Sequence, residues 1–186
     1  MNLRQLPNVI TLVRMGLVGP MVGLLAVRDY RIAFLVFVLA AGSDALDGLL
    51  AKRFGWTSRF GAIADPLADK LLMLSCYFML AWNRELSWWL FGLVLARDLV
   101  IVGGALVYHY RYEPVEMAPT YLSKCNTLLQ ILLIVALVFS LGWWPMPTGL
   151  ILALTVGVVL STLASGADYV WRWSHLAAQA QRRRRT

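Results

Sequence analysis

Charge is scarce in this sequence, and the scarcity is uneven. Only 15% of the 186 residues are charged, against 60% that are hydrophobic. A typical soluble domain carries about 25% charged and 45–50% apolar residues. Between Lys124 and Asp168 there is no charge at all, so Cys125 to Ala167 is an uncharged run of 43 positions. About 20 apolar residues suffice to cross a bilayer as a helix. An ordinary soluble domain and a disordered chain are thereby excluded. Cysteine is nearly absent as well. Cys76 and Cys125 are the only two, and both fall in or beside apolar segments, which excludes a disulfide scaffold and reads them as small buried hydrophobes. The two histidines, His109 and His175, have no metal-ligand spacing. Internal repeats, low-complexity linkers and a collagen-like glycine period are missing. No cleavable signal peptide is expected, because the first apolar stretch carries Arg14 and lacks a small-residue cleavage site.

What is present is a series of apolar blocks. Six predicted spans cover roughly Val9–Val27, Ile32–Ala51, Phe60–Trp82, Trp88–Tyr108, Tyr121–Leu141 and Pro147–Trp171. Most connections are short, which makes successive helices antiparallel neighbours. The expected fold class is all-α: a polytopic membrane protein with six transmembrane helices. Residues 1–186 are expected to form a single membrane domain ending in a basic tail at 177–186. The net charge of +7 is better matched to anionic lipid headgroups than to nucleic acid, because Arg182–Arg185 cluster beside a span.

Flanking Lys and Arg set the orientation. With the N-terminus inside, the inner side holds Arg4, Lys52, Arg53, Arg59, Arg111 and the arginine tail, and the outer side only Arg28, Arg31 and Arg84. Trp82, Trp88, Trp89, Trp143 and Trp144 then form an outer aromatic belt. Both termini are expected in the cytoplasm. A bacterial inner membrane is the expected location, since no long Arg/Ser-rich transit segment precedes Leu6.

Ionisable groups inside spans are expensive and usually functional. Asp44 and Asp47 share a helix face at i,i+3, and Asp65 and Asp69 do so at i,i+4 on the next helix. Both pairs fall near the inner ends of their spans, at similar depth. Four carboxylates at close quarters repel unless some are protonated or a cation sits among them. An all-oxygen set suits Mg²⁺ or Mn²⁺, and two such ions can clamp a phosphoryl or diphosphate group. The bland alternative, ion pairing with Lys52, Arg53, Arg59 and Lys70, accounts for one Asp more easily than for four.

Residues 44–69 read D-A-L-D-G-L-L-A-K-R-F-G-W-T-S-R-F-G-A-I-A-D-P-L-A-D. This resembles the CDP-alcohol phosphatidyltransferase signature D-x2-D-G-x2-A-R-x8-G-x3-D-x3-D at every position but one, where Lys52, followed by Arg53, replaces Arg. The resemblance implies that Asp44, Asp47, Asp65 and Asp69 hold two divalent cations and that Asp69 is the general base. It also implies that Gly48, Ala51, Lys52 or Arg53, and Gly61 line the nucleotide site. Membrane lipids and CDP-diacylglycerol follow as partners, together with a phosphate-bearing alcohol acceptor and a second copy of the chain in a homodimer.

Within the family, L-P-N-V-I-T-L-V-R near the start, Arg97-Asp98, and P-T-Y-L-S-K-C-N-T-L-L-Q at 119–130 resemble the eukaryotic-type, CMP-forming cardiolipin synthases. These join CDP-diacylglycerol to phosphatidylglycerol. The alternative is a phosphatidylglycerophosphate synthase, which uses glycerol 3-phosphate. Asn8, Thr11 and Arg14 are candidates for lipid or diphosphate contact, with interfacial snorkelling the alternative for Arg14. Arg97, Ser123 and Lys124 are candidates for the acceptor phosphate, although Arg97 can instead meet Asp98. Asp168 matches nothing in the motif and reads as packing or a dimer contact. A cation channel or carrier lined by the Asp cluster is the reading from a different class. It fits less well, because the acids gather at one end and the neutral run supplies no charged path.

Overall fold

The computed structural model describes the backbone of residues 6–54, 59–111 and 120–183, and the side chains of residues 12–42, 67–104 and 120–172. The described residues form six helices and no strand. They are α1 (Leu6–Ala26), α2 (Tyr30–Phe54), α3 (Arg59–Trp82), α4 (Trp88–Arg111), α5 (Tyr121–Gly142) and α6 (Thr148–Arg183). Each predicted span falls on one helix. The largest departure is α6, which runs about three turns past the expected end at Trp171. The apolar run stops there, but Ala, Gln and Arg are strong helix formers and carry the backbone on.

Two of these helices, Tyr121–Gly142 and the Thr148–Arg172 part of α6, are long and apolar enough to cross a membrane. Shorter apolar stretches occupy Leu12–Ala26 and Tyr30–Gly42. Only 17% of the apolar window of α6 is buried, with Leu152, Leu160 and Leu163 all exposed. A core helix of a soluble protein is mostly covered, so this apolar surface calls for a non-aqueous neighbour. Cys76 is buried as expected, but Cys125 is exposed. It shares an outward stripe of α5 with Leu128 and Leu132, which are also exposed.

The helices group into two compact units, Met1–Trp88 with Ile134–Pro147, and Trp89–Leu133 with Thr148–Thr186. In the first unit α1 packs against both α2 and α3. Helices α1 and α3 end in the same way. Arg28 and Arg84 take left-handed φ values of 59° and 66°. The amides of Arg28 and Asp29 return to Leu25 O and Leu24 O, and those of Arg84 and Glu85 to Ala81 O and Leu80 O. Each is a Schellman ending with arginine in the place usually given to glycine, and its positive charge complements the carbonyl end of the helix.

These endings are cross-tied. Buried Asn83 donates through Nδ2 to Leu25 O (2.7 Å) and to the Tyr30 hydroxyl (3.2 Å). Burial first, then the nearby Glu85 carboxylate, raises the Tyr30 phenol above its ordinary pKa, so it stays protonated. Asp29 Oδ1 caps α2 by accepting from Ile32 N, while Arg31 Nε donates to Gly142 O at 2.7 Å, capping α5. Phe34 meets Phe139 edge to face at 5.3 Å. The loops after α1, α3 and α5 therefore meet at one end of this unit, with Trp82, Trp88, Trp143 and Trp144 exposed nearby along the chain.

Gly142 is the tightest point. A Cβ there would lie 2.8 Å from Tyr30 C and 2.9 Å from Arg31 N, both backbone atoms, whereas one at Gly149 meets nothing within 4 Å. Gly142→Ala is expected to cost about 1–3 kcal/mol through overpacking and to lower the unfolding midpoint in detergent. Gly149→Ala is expected to leave it unchanged; equal midpoints would contradict the close approach.

Candidate active site

The four acidic residues of the motif lie on helical backbone, two on each of two helices. Asp44 and Asp47 fall within α2, and Asp65 and Asp69 within the opening turns of α3, so each pair shares a helix face. Asp69 is half-buried. Met73 and Cys76, one and two turns further along α3, are buried, so Asp69 continues the inward stripe of that helix. The side chains of Asn8, Thr11, Asp44, Asp47, Gly48, Ala51, Lys52, Arg53, Gly61 and Asp65 lie outside the described residues.

Arg14, on α1 of the same unit, is 1% exposed and among the largest fully buried side chains. Interfacial snorkelling, which requires a solvated head, does not describe it. Its guanidinium belongs to the interior of the protein.

The second unit holds a different kind of site. Arg97, near the middle of α4, pairs through Nη1 with Asp98 Oδ1 at 2.7 Å, with side-chain exposures of 6% and 13%. Nη2 donates to Ser123 Oγ on α5 and to Ser165 Oγ on α6 at 2.9 Å. One guanidinium thus ties three helices. The methylenes of Arg97 pass over Gly166, 3.9 Å from where a Cβ would stand. Each serine hydroxyl accepts from Arg97 and keeps its own proton to donate. Arg97 Nε is buried without a hydrogen-bond partner among the described residues. Such a donor-rich layer suits a phosphate oxygen.

Of the acceptor candidates, Arg97 and Ser123 come together and Lys124 does not join them. Lys124 is exposed, and its Nζ lies 5.7 Å from the centroid of the Tyr121 ring. Ser123 and Lys124 are neighbours in sequence but point to different sides of the helix. Asp168 binds Arg172 through both carboxylate oxygens at 3.0 Å, an i,i+4 pair on α6.

Ser165 was not among the residues singled out in the sequence. Nor were Asn126, Ser161 and Thr162, which form a second buried layer. Asn126 Oδ1 accepts from Ser161 Oγ and Thr162 Oγ1, both at 2.8 Å. The spacing holds the missed signal. Ser123 and Asn126 are at i,i+3 on α5, and Thr162 and Ser165 at i,i+3 on α6, all inside otherwise apolar helices.

A family model described as CDP-alcohol phosphatidyltransferase matches residues 4–163. A "cardiolipin synthase (CMP-forming) / mitochondrial hydrolase fusion protein" of Schizosaccharomyces pombe is 33% identical over 90% of this chain and 31% of its own length. The cardiolipin synthase (CMP-forming) of Homo sapiens is 31% identical over 70% of this chain and 49% of its own. A probable phosphatidylglycerophosphate synthase of Mycobacterium tuberculosis is 31% identical over 92% of this chain and 82% of its own. The chain therefore spans less than half the length of these two cardiolipin synthases and most of the phosphatidylglycerophosphate synthase.

Removing Arg97 takes from the buried Asp98 carboxylate its ion-pair partner at 2.7 Å. Arg97→Met is expected to destabilise the protein by about 3–5 kcal/mol, read as thermal unfolding in detergent. Adding Asp98→Leu is expected to restore much of that loss. A double variant no better than the single would show that the pair is not the source of the stability.

Proposed function

The chain belongs to the CDP-alcohol phosphatidyltransferase family, and on that premise we propose that it is a membrane-embedded cardiolipin synthase. It transfers the phosphatidyl group of CDP-diacylglycerol to phosphatidylglycerol and releases CMP. Asp69 takes the proton of the acceptor's primary hydroxyl. The hydroxyl oxygen forms a bond to the lipid-side phosphorus of the diphosphate, and the bond from that phosphorus to the CMP oxygen breaks. Arg97 and Ser123 bind the acceptor phosphate, and Lys124 serves at the interface beside them. Arg14, Asn8 and Thr11 serve the lipid or diphosphate, and Gly48, Ala51, Lys52, Arg53 and Gly61 the nucleotide.

The donor set fits divalent cations: four carboxylates, paired at i,i+3 and i,i+4 on helical backbone, supply only oxygen ligands. Asp44, Asp47, Asp65 and Asp69 are the residues to hold two ions, Mg²⁺ or Mn²⁺. When bound, the ions supply positive charge that neutralises the diphosphate and the departing CMP. Six spans, cytoplasmic termini, a bacterial inner membrane and a homodimer complete the reading. It is supported by the flanking charges, the exposed tryptophans and the uncovered apolar face of α6.

One observation carries the choice of acceptor. The guanidinium of Arg97 is held by Asp98 through Nη1, so it does not meet an acceptor as a lone cation. A phosphodiester such as that of phosphatidylglycerol brings one negative charge and matches hydrogen-bond donors of this kind. A phosphomonoester approaches two negative charges at neutral pH and calls for a further cation. Lys124, the candidate beside the layer, faces Tyr121 instead. Phosphatidylglycerophosphate synthase, with glycerol 3-phosphate as acceptor, is the second reading, favoured by the relative that this chain covers most fully.

The purified protein, given CDP-diacylglycerol and Mg²⁺ or Mn²⁺, is expected to release CMP and form cardiolipin with phosphatidylglycerol and not with glycerol 3-phosphate. Phosphatidylglycerophosphate as the only product would establish the second reading. CMP released with neither acceptor would overturn both and reopen the carrier hypothesis. Chelation of divalent metal is expected to abolish turnover. Asp69→Asn is expected to slow it by about 10²–10⁴-fold, the range for loss of a general base.

A further inference from the structure

Asn126 is fully buried in the second unit, and only one end of its amide is engaged. Oδ1 accepts from the Thr162 hydroxyl and from that of Ser161, whose single proton is shared with Val158 O. Nδ2 is buried without a hydrogen-bond partner among the described residues. An asparagine that only joined α5 to α6 would do so with its oxygen alone, and the fold would gain nothing by enclosing two unsatisfied N–H bonds. Buried amides left open in this way mark a place where another group arrives.

The register indicates which group. Asn126 follows Ser123 by three residues on α5, and Thr162 precedes Ser165 by three on α6. The Asn126 layer is therefore stacked one turn from the Arg97 layer, about 4.5 Å along the helices. In a glyceryl phosphate ester the secondary hydroxyl lies a few bonds from phosphorus, a separation of the same order. If the Arg97 layer receives the acceptor phosphate, the Asn126 layer receives what comes next in the acceptor.

We propose that Asn126 Nδ2 donates a hydrogen bond to the secondary hydroxyl oxygen of the acceptor's glycerol unit, making Asn126 a specificity-determining residue. The inference rests on the acceptor site proposed above. It holds for either glyceryl acceptor, since phosphatidylglycerol and glycerol 3-phosphate both present a secondary hydroxyl beside the reacting primary one. A site built to bind a hydroxyl rejects an analogue lacking it far more strongly than an apolar site prefers one extra methylene.

The test compares acceptors that differ only in that hydroxyl: phosphatidylglycerol against phosphatidyl-1,3-propanediol, and glycerol 3-phosphate against 3-hydroxypropyl phosphate. Wild-type protein is expected to favour the glyceryl acceptor it uses by about tenfold to a hundredfold in kcat/KM. Asn126→Ala and Asn126→Leu are expected to lower kcat/KM for the glyceryl acceptor to near that of its deoxy analogue. The analogue's own value and the KM for CDP-diacylglycerol should change little. Retention of the CDP-diacylglycerol KM shows that the variants are folded, and the two substitutions differ in how they fill the space. Equal losses on both acceptors would assign Asn126 a purely structural role and overturn the proposal. So would a wild-type protein that does not distinguish the acceptors. Wild-type protein that uses neither glyceryl acceptor would overturn the parent reading and this one together, an outcome separate from the other two.

Discussion

A polar side chain in an apolar helix has to be satisfied by another polar side chain, and Arg97 shows how that is done. Its guanidinium sits in the middle of α4 and engages Asp98, Ser123 and Ser165. Each contact fixes part of the fold, because α4, α5 and α6 must present their oxygens at one level. Asn126 repeats the demand one turn away with Ser161 and Thr162. Apolar packing between helices in lipid has little hydrophobic driving force of its own, and such hydrogen bonds fix which faces meet. In this unit the residues that set helix register are also the ones able to bind a polar substrate.

The first unit meets the same requirement differently. Its polar ties gather at helix ends, where Asn83 reaches Leu25 O and the Tyr30 hydroxyl and Arg31 reaches Gly142 O. Those groups satisfy terminal carbonyls that would otherwise lack partners. Fixing α1, α2, α3 and α5 at their loop ends leaves the far ends of α2 and α3 to carry the acidic motif. Carboxylates in such positions suit chemistry that needs negative charge in an apolar setting.

How much of this was legible in the sequence depended on how each residue announces itself. Helix positions were legible because the segments are long, apolar and bounded by charges or turn residues; Trp82 and Trp88 mark ends of α3 and α4 that the structure reproduces. The four Asp residues stood out because charge is costly in an apolar segment, and their role rests on the proposal above. Arg97 and Ser123 were legible through the same cost and a short resemblance. Ser165, Ser161, Thr162 and Asn126 were not. A lone hydroxyl in a membrane helix can satisfy itself on the preceding turn, as Thr155 Oγ1 does on Ile151 O, so it carries little signal until its neighbour on another helix is known. Gly142 was illegible for the same reason, since its tight neighbour is more than a hundred residues away in sequence. The exposure of Cys125 also depended on which face of α5 turned inward, and that was decided by Asn126.

The pairing of Arg97 with Asp98 has a consequence for what the layer can distinguish. An unpaired buried arginine would bind any anion strongly, CDP-diacylglycerol's diphosphate included, and would not separate donor from acceptor. With Asp98 already holding Nη1, the attraction falls, and the remaining donors are directional: Nε, two serine hydroxyls and the Asn126 amide. Selectivity in such a layer rests on the placement of oxygens more than on total charge. Within the second unit, the layer therefore offers an anion a geometry of hydrogen-bond donors more than a net charge.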